Sequence, residues 1–158
     1  MAGLLPVLVL LTLPALLAAQ GRPAKPGGPR GISVTAQQDL VFGVLLPGAT
    51  STVYVDDVTR RAEWVIRTDG GATVSLQLPR FLESATGDRI PLSFGFGDAG
   101  FLQGGTVSIV LYDPERRFDV FVPADPGFGE LFLGGTALPS TDVPPGTYTA
   151  TITIIVTP

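Results

Sequence analysis

The strictest pattern in this sequence is the alternation of apolar residues and threonines over the eleven positions that precede Pro158. One face of this segment holds Tyr148, Ala150, Ile152, Ile154 and Val156, and the other holds Thr147, Thr149, Thr151 and Thr153. A period of two is typical of a β-strand with one buried face. We predict one continuous closing strand over Thr147–Thr157, roughly 35 Å long at about 3.3 Å per residue. Such a strand either runs the full height of a sandwich or lies at an edge that accepts a partner strand.

The chain before the closing strand has the same character in shorter pieces. From Ile32 onward, segments rich in β-branched residues are separated by Gly, Pro and Asp, and no segment has a sustained helical period. This punctuation predicts an all-β antiparallel sandwich or barrel. The other predicted strands are Ile32–Ala36, Leu40–Leu46, Thr52–Val55, Ala62–Arg67, Ala72–Leu78, Ile90–Phe96, Thr106–Tyr112, Arg117–Val122 and Glu130–Leu133.

The first 31 residues are not expected to belong to the folded domain, and they indicate that the protein is exported. An apolar run from Leu4 to Leu17, followed by Ala18-Ala19-Gln20, is typical of a secretory signal peptide over residues 1–20. Two prolines interrupt this run, so we expect no stable membrane span after cleavage. Residues 21–31, GRPAKPGGPRG, predict a flexible arm, because they carry no large apolar side chain. We therefore expect one folded domain over residues 32–158, in the periplasm, at the cell surface or outside the cell.

The charge of the predicted domain argues against nucleic acid as a partner. From Ile32 onward the sequence has seven arginines against fourteen acidic residues, a balance of −7, whereas three of the cations lie in the arm. An acidic surface repels a phosphate backbone. The partners that we expect are other protein subunits or surface components, bound by β-strand pairing.

The residue types that the chain lacks narrow its chemistry. It has no His and no Cys, and its sole lysine, Lys25, lies in the arm. Serine-type triads, thiol nucleophiles and zinc or copper sites built on imidazole or thiolate need those residues. We predict that the protein is not an enzyme and has no catalytic residue, no cofactor-binding residue and no cofactor.

Carboxylates are the remaining candidates for chemistry. They are Asp56, Asp57, Asp69, Asp98, Asp113, Glu115 and Asp125. Their spacing fits neither the carboxylate pair of a glycosidase nor a calcium loop. Asp next to Gly or Pro is typical of turns, so we interpret them as turn-shaping residues, with a loop-bound calcium ion as the alternative. No metal ligand is assigned.

Three further features have structural explanations. Phe94–Gly100 is rich in glycine but lacks the Lys-Ser/Thr end of a phosphate-binding loop, so it predicts a strand end and a flexible loop. Trp64 alternates with Ala62 and Ile66, which favours a core position over a sugar-stacking one. The arginine pairs at 60–61 and 116–117 stand beside acids and predict solvated ion pairs across the sheet.

Two stretches resemble a bacterial exported family known as domain of unknown function 4402. Gln38–Gly48, QDLVFGVLLPG, is similar to its early LxFGxxxPG strand and turn. Leu131–Thr136, LFLGGT, and Pro145–Ile154, PGTYTATITI, are similar to its late GGT motif and its closing strand. The resemblance extends over about Ile32 to Val156, with Ala72–Pro79 and Ile90–Phe96 where the family has comparable strands.

The resemblance implies an immunoglobulin-like antiparallel β-sandwich of about eight to ten strands, related to fimbrial subunits and without catalytic residues. Fimbrial subunits donate an N-terminal strand to the next subunit. Here Ile32-Ser33-Val34 is the one apolar alternation near that terminus. The expected function is that of a non-enzymatic structural or adhesive surface protein, fimbrial-subunit-like. The alternative is a periplasmic or surface binding module that recognises a sugar, Ca²⁺ or a protein through its loops.

Overall fold

The computed structural model describes residues 31–68 and 70–158, so the predicted signal peptide and most of the arm lie outside the described residues. All described regular structure is β, and all strand pairs are antiparallel, which confirms the all-β sandwich. The strands are β1 (Ser33–Gln38), β2 (Ser51–Val53), β3 (Ala62–Arg67), β4 (Gly71–Gln77), β5 (Phe81–Ser84), β6 (Arg89–Ser93), β7 (Ala99–Gln103), β8 (Ile109–Tyr112), β9 (Phe118–Phe121), β10 (Phe128–Leu133), β11 (Gly135–Ala137), β12 (Tyr148–Thr149) and β13 (Thr153–Thr157).

The strands form three sheets. The large sheet has the order β1-β3-β10-β7-β8, the small sheet β13-β4-β9, and the side sheet β12-β5-β6-β11-β2. The main core contains alternate side chains from the large and small sheets, so these two sheets form the sandwich. A second apolar cluster, centred on Phe42, Val53, Ile90 and Ala137, lies against the side sheet.

The middle of the large sheet holds the most deeply buried strands. β3 pairs with β1 on one side and β10 on the other, and it has the predicted bounds. Ala62, Trp64 and Ile66 all belong to the main core, which confirms the core position of Trp64. Alternation places these three on one face because strand side chains have a period of two.

The chain passes from the large sheet to the side sheet at Gly134, between β10 and β11. A Cβ atom at this position would overlap the carbonyl oxygen of Val53. The Gly134 N–H also donates to the Asp98 carbonyl at 2.7 Å. Glycine is required here because the backbones approach too closely for a side chain. The GGT segment therefore serves as a crossing between two sheets.

The predicted strand Leu40–Leu46 is wrong. This segment has no ladder partner among the described residues, and Gly43 has a φ of 74°. Leu40 contacts both apolar clusters, while Phe42 and Leu45 pack in the second. The apolar side chains follow a corner between two cores rather than one flat sheet face, so the segment bends.

The prediction of one continuous closing strand is also wrong, although its alternation is right. Tyr148–Thr149 pairs with β5 of the side sheet, and Thr153–Thr157 pairs with β4 of the small sheet. Since these partners lie in different sheets, the chain leaves one ladder before it joins the next. Ala150–Ile152 forms the link and belongs to no ladder in the described chain.

Three strands, β5, β7 and β11, are absent from the sequence prediction. β7 reads AGFLQ and β11 reads GTA, and small residues in both obscure the alternation. Gly100 is nevertheless buried, and a Cβ atom there would overlap the side chain of Ile109 on β8. Together with the divided closing strand, these pieces raise the described number of strands to thirteen, above the predicted range.

Candidate functional site

An open groove lies where one predicted strand, Leu40–Leu46, is absent and the predicted closing strand is interrupted. It has a cavity volume of about 960 Å³ and runs between residues 39–47 and residues 143–152. The first segment contains the bent stretch Leu40–Leu46, and the second contains the break in the closing strand. Both segments have strand-forming sequences, but the described chain does not pair them with each other. We call this site the groove.

The floor of the groove is apolar. Ala62 and Trp64 of β3, Ile90 and Leu92 of β6, and Phe94 lie along it. These side chains belong to, or pack against, the two apolar clusters, so the floor is the surface of the core itself. An occupant would therefore extend the core rather than contact isolated side chains.

The rim of the groove adds exposed apolar surface. Val44 is 90% exposed, and Val41 is also exposed. Asp39 is the one charged residue among those that line the groove. The Tyr148 hydroxyl is already engaged, because it donates to the Pro144 carbonyl at 2.8 Å. The site therefore favours an apolar, uncharged occupant over an ion or a sugar.

Backbone groups at the groove are open to pairing. Ala150, Thr151 and Ile152 line it and join neither neighbouring ladder. Both β12 and β13, which flank them, are edge strands. An edge with unpaired N–H and C=O groups is a template for an additional strand. The groove thus combines an apolar floor with an unpaired strand border.

A shallow depression of about 590 Å³ lies elsewhere, next to β8. It is lined by Tyr54, Val55, Asp56, Gly97, Ile109 and Leu111. The depression and the groove share no lining residue. They are therefore separate apolar regions of the surface.

Several candidate carboxylates shape turns, as predicted. Asp57 accepts hydrogen bonds from the Thr59 hydroxyl at 2.8 Å and from Arg60 at 2.7 Å. These two hydrogen bonds, with Thr59 the larger cause, hold the pKa of Asp57 below its ordinary value. Asp113 accepts from the Glu115 N–H at 3.0 Å.

Of the other candidate carboxylates, Asp98 lies near Asp113. The turn at Asp125 is closed by a hydrogen bond from the Gly127 N–H to the Pro123 carbonyl, and Asp69 lies outside the described residues. Asp98 accepts from the Gly95 N–H at 2.8 Å, and burial is the main cause that raises its pKa, to which the nearby charge of Asp113 contributes. Over residues 31–68 and 70–158, no three acidic side chains form a group suited to a metal ion.

The burial of Arg61 was not predicted from the sequence. The prediction that Arg61 forms a solvated ion pair is wrong, because Arg61 is only 9% exposed. Its guanidinium donates to the Val55 carbonyl at 2.7 Å, contacts Glu63 at 3.2 Å and stacks 3.5 Å above the Phe132 ring. Arg116, by contrast, forms an exposed ion pair with Asp113 as expected. Arg61 therefore connects the turn after β2, through Val55, to Phe132 of the large sheet.

No protein-family model, curated protein or solved structure matches this chain. Within the described part of the chain there is no helix with the length and apolarity to cross a membrane.

Proposed function

We propose that this protein is a non-enzymatic, exported structural or adhesive surface protein, fimbrial-subunit-like, whose groove binds an extended apolar segment of another protein. One observation carries the proposal. Two strand-forming segments, residues 39–47 and 143–152, border an apolar groove without pairing across it. A partner strand with alternating apolar side chains would place these on the floor and its backbone beside Ala150–Ile152.

The chain's own N-terminal strand is already engaged. β1 pairs with β3 from Ser33 opposite Arg67 to Gln38 opposite Glu63. The Gln38 side chain also donates to the Arg61 carbonyl at 2.6 Å. This pairing supports a finished domain that receives a segment from a different protein, rather than one that gives up β1 to its neighbour.

The binding free energy of the complex can be estimated from the apolar side chains that the groove floor would bury. Each apolar side chain that enters a fully enclosing site gains roughly 1.5–3 kcal/mol. Two or three such side chains contribute roughly 3–9 kcal/mol before the entropy of ordering the segment is subtracted, so we expect a complex weaker than micromolar.

The test is a panel of uncharged peptides of about eight residues, with apolar and threonine residues in alternation, measured by calorimetry. We expect saturable binding and a rise in melting temperature, and we expect a scrambled peptide with adjacent apolar residues to bind at least about tenfold more weakly. Val44→Asp on the rim should weaken binding. Its matched control is Val107→Asp, an equally exposed valine outside the groove, which should leave binding unchanged.

Failure of every alternating peptide, or equal loss in both valine variants, would argue against a strand-binding groove. The alternative function, a binding module for a sugar or Ca²⁺ through its loops, predicts a different result. Calcium or glycans alone would then raise the melting temperature, and Val44→Asp would not matter. The volume of about 960 Å³ also admits a small apolar ligand, which would compete with the peptide.

A further inference from the structure

We propose that β8 pairs antiparallel with β8 of a second copy of this chain, so that the two large sheets join into one across a twofold axis. β8 is the last strand of the large sheet, and no described strand lies beyond it. We call Thr106–Tyr112, with the sequence TVSIVLY, the β8 edge; it consists of β8 and the three residues that precede it. This inference does not depend on the function proposed for the groove.

The β8 edge lacks the protection found on other edges. β1 is polar and has an irregularity between Ala36 and Gln38, β9 carries Asp119, and β2 has three residues. Such features discourage pairing with another chain. The β8 edge has no charge over seven residues, and Val107, Val110 and Leu111 are 97%, 54% and 44% exposed. β13 is also uncharged, but Ile155 is the one large apolar residue it exposes.

The backbone of the β8 edge is oriented for pairing. The Tyr112 carbonyl accepts a hydrogen bond from the Gly97 N–H, on the side of β7. The N–H and C=O of one residue point to the same side of a strand, and successive residues alternate. The backbone groups of Ile109 and Leu111 therefore point away from β7, toward the open edge.

One register satisfies both the backbone and the side chains. With Ile109 opposite Ile109 of the second copy, Val107 lies opposite Leu111, and Leu111 lies opposite Val107. Ile109 and Leu111 share one face of β8. Val107 lies two residues before the strand, and pairing that extends β8 back to Val107 would place it on the same face, which produces a continuous apolar row. Each Val107 also comes next to the partner's shallow depression, which Leu111 and the exposed Tyr54 line.

The charge distribution selects this arrangement. The body is acidic, so two copies repel each other except where their contact surfaces carry no charge. In the antiparallel register, the two copies of Asp113, which directly follows β8, lie at opposite ends of the paired strands. A parallel register would place Asp113 beside Asp113 and Glu115 beside Glu115, which like-charge repulsion disfavours. The pairing also closes after two copies, because each β8 edge is then used.

The first test is analytical ultracentrifugation of the chain as an expression host secretes it, over a range of concentrations. We expect a reversible monomer–dimer equilibrium. Val107→Lys alone and Leu111→Asp alone should each weaken the dimer by about tenfold or more, because each buries an unpaired charge. The double variant should recover much of the affinity, since the introduced ammonium of one copy then faces the introduced carboxylate of the other. A strictly monomeric wild-type chain, an open-ended aggregate, or a double variant weaker than both single variants would overturn the proposal.

Cross-linking tests the register directly, because the chain contains no native cysteine. Paired residues in an antiparallel ladder lie within the distance that a disulfide spans. We expect Ile109→Cys to form a covalent dimer on mild oxidation, and we expect Val107→Cys alone to form little. Val107→Cys combined with Leu111→Cys should cross-link well. Equal cross-linking of Ile109→Cys and Val107→Cys would contradict the register.

Discussion

The groove and the β8 edge are both exposed and apolar, yet they differ in the regularity of their backbones. The groove is bordered by Leu40–Leu46, which joins no ladder in the described chain, and by the link Ala150–Ile152 between two ladders, whereas the β8 edge contains a regular strand of the large sheet. A concave apolar floor binds the side chains of an occupant, whereas a straight strand edge forms hydrogen bonds with the backbone of another strand. We therefore expect different occupants for two regions of similar apolar composition: a foreign segment in the groove and an identical strand on the β8 edge.

The largest effect that separates the two regions is on stability. Ile90 is 1% exposed and forms part of the groove floor, whereas Val107 is nearly fully exposed. Ile90→Ala should lower the free energy of unfolding by about 2–5 kcal/mol, because it leaves a cavity in the second apolar cluster. Val107→Ala, measured in the same urea titration at a concentration where the chain is monomeric, should change it by less than about 0.5 kcal/mol. A loss below about 1 kcal/mol for Ile90→Ala would mean that the floor is not core.

The next effect concerns Arg61, which supports the side of the molecule near the β8 edge. Arg61→Ala removes the hydrogen bond to the Val55 carbonyl, the contact with Glu63 and the stack on Phe132. We expect a loss of about 1–3 kcal/mol in the free energy of unfolding, because the Val55 carbonyl and Glu63 lose a partly buried partner. Val55 lines the shallow depression, so dimer formation should weaken more than peptide binding in the groove.

The matched control for Arg61 is Arg116→Ala. The Arg116 side chain is 83% exposed in its ion pair with Asp113, so its loss should cost less than about 0.5 kcal/mol. Equal losses for the two variants would show that the Arg61 guanidinium is no better enclosed than a surface cation. The comparison is a denaturant titration at two salt concentrations, since only the exposed pair should respond strongly to salt.

The same contrast explains how much of the fold was predictable. β3 has its predicted bounds because Ala62, Trp64 and Ile66 face one core with a period of two. Leu40–Leu46 and the closing strand have equally strong local patterns, but their side chains pack against two different clusters or sheets. Local alternation does not reveal which sheet a strand joins, so the corner and the break could not be predicted.

The candidate sites depend on those non-local choices. The groove lies between two strand-like segments that do not pair with each other, and no single residue in the sequence indicates it. β8 lies within the predicted strand Thr106–Tyr112 but begins at Ile109, and its exposed position follows from the order of the large sheet. The burial of Arg61 depends on Phe132, which lies far away in the sequence. The missing information in all three cases is the arrangement of distant strands.

The smallest expected effect is on how folding stability depends on pH in two turns, those of Asp98 and Asp57. Asp98 lies in the turn that leads to β7, beside the β8 edge, and burial raises the pKa of its carboxyl above the ordinary 3.8. The Gly95 N–H opposes this shift, and the charge of Asp113 adds to it. The folded state therefore holds this proton more tightly than the unfolded state. The resulting stability is present below pH 3.8 and is lost as the pH rises through the pKa of the folded state.

Asp57, in the turn that follows β2, should show the opposite pH dependence. The Arg60 carbonyl of this turn accepts the Val41 N–H at 2.8 Å. The pKa of Asp57 is lowered, first by Thr59 and then by Arg60, so its contribution is present above pH 3.8 and is lost as the pH falls through the folded pKa. At neutral pH, Asp98→Asn should therefore unfold at slightly higher urea than the wild type, and Asp57→Asn at lower urea. Both differences should shrink near pH 3. Urea titrations between pH 3 and 7 that give both variants the same sign would remove this distinction between the two turns.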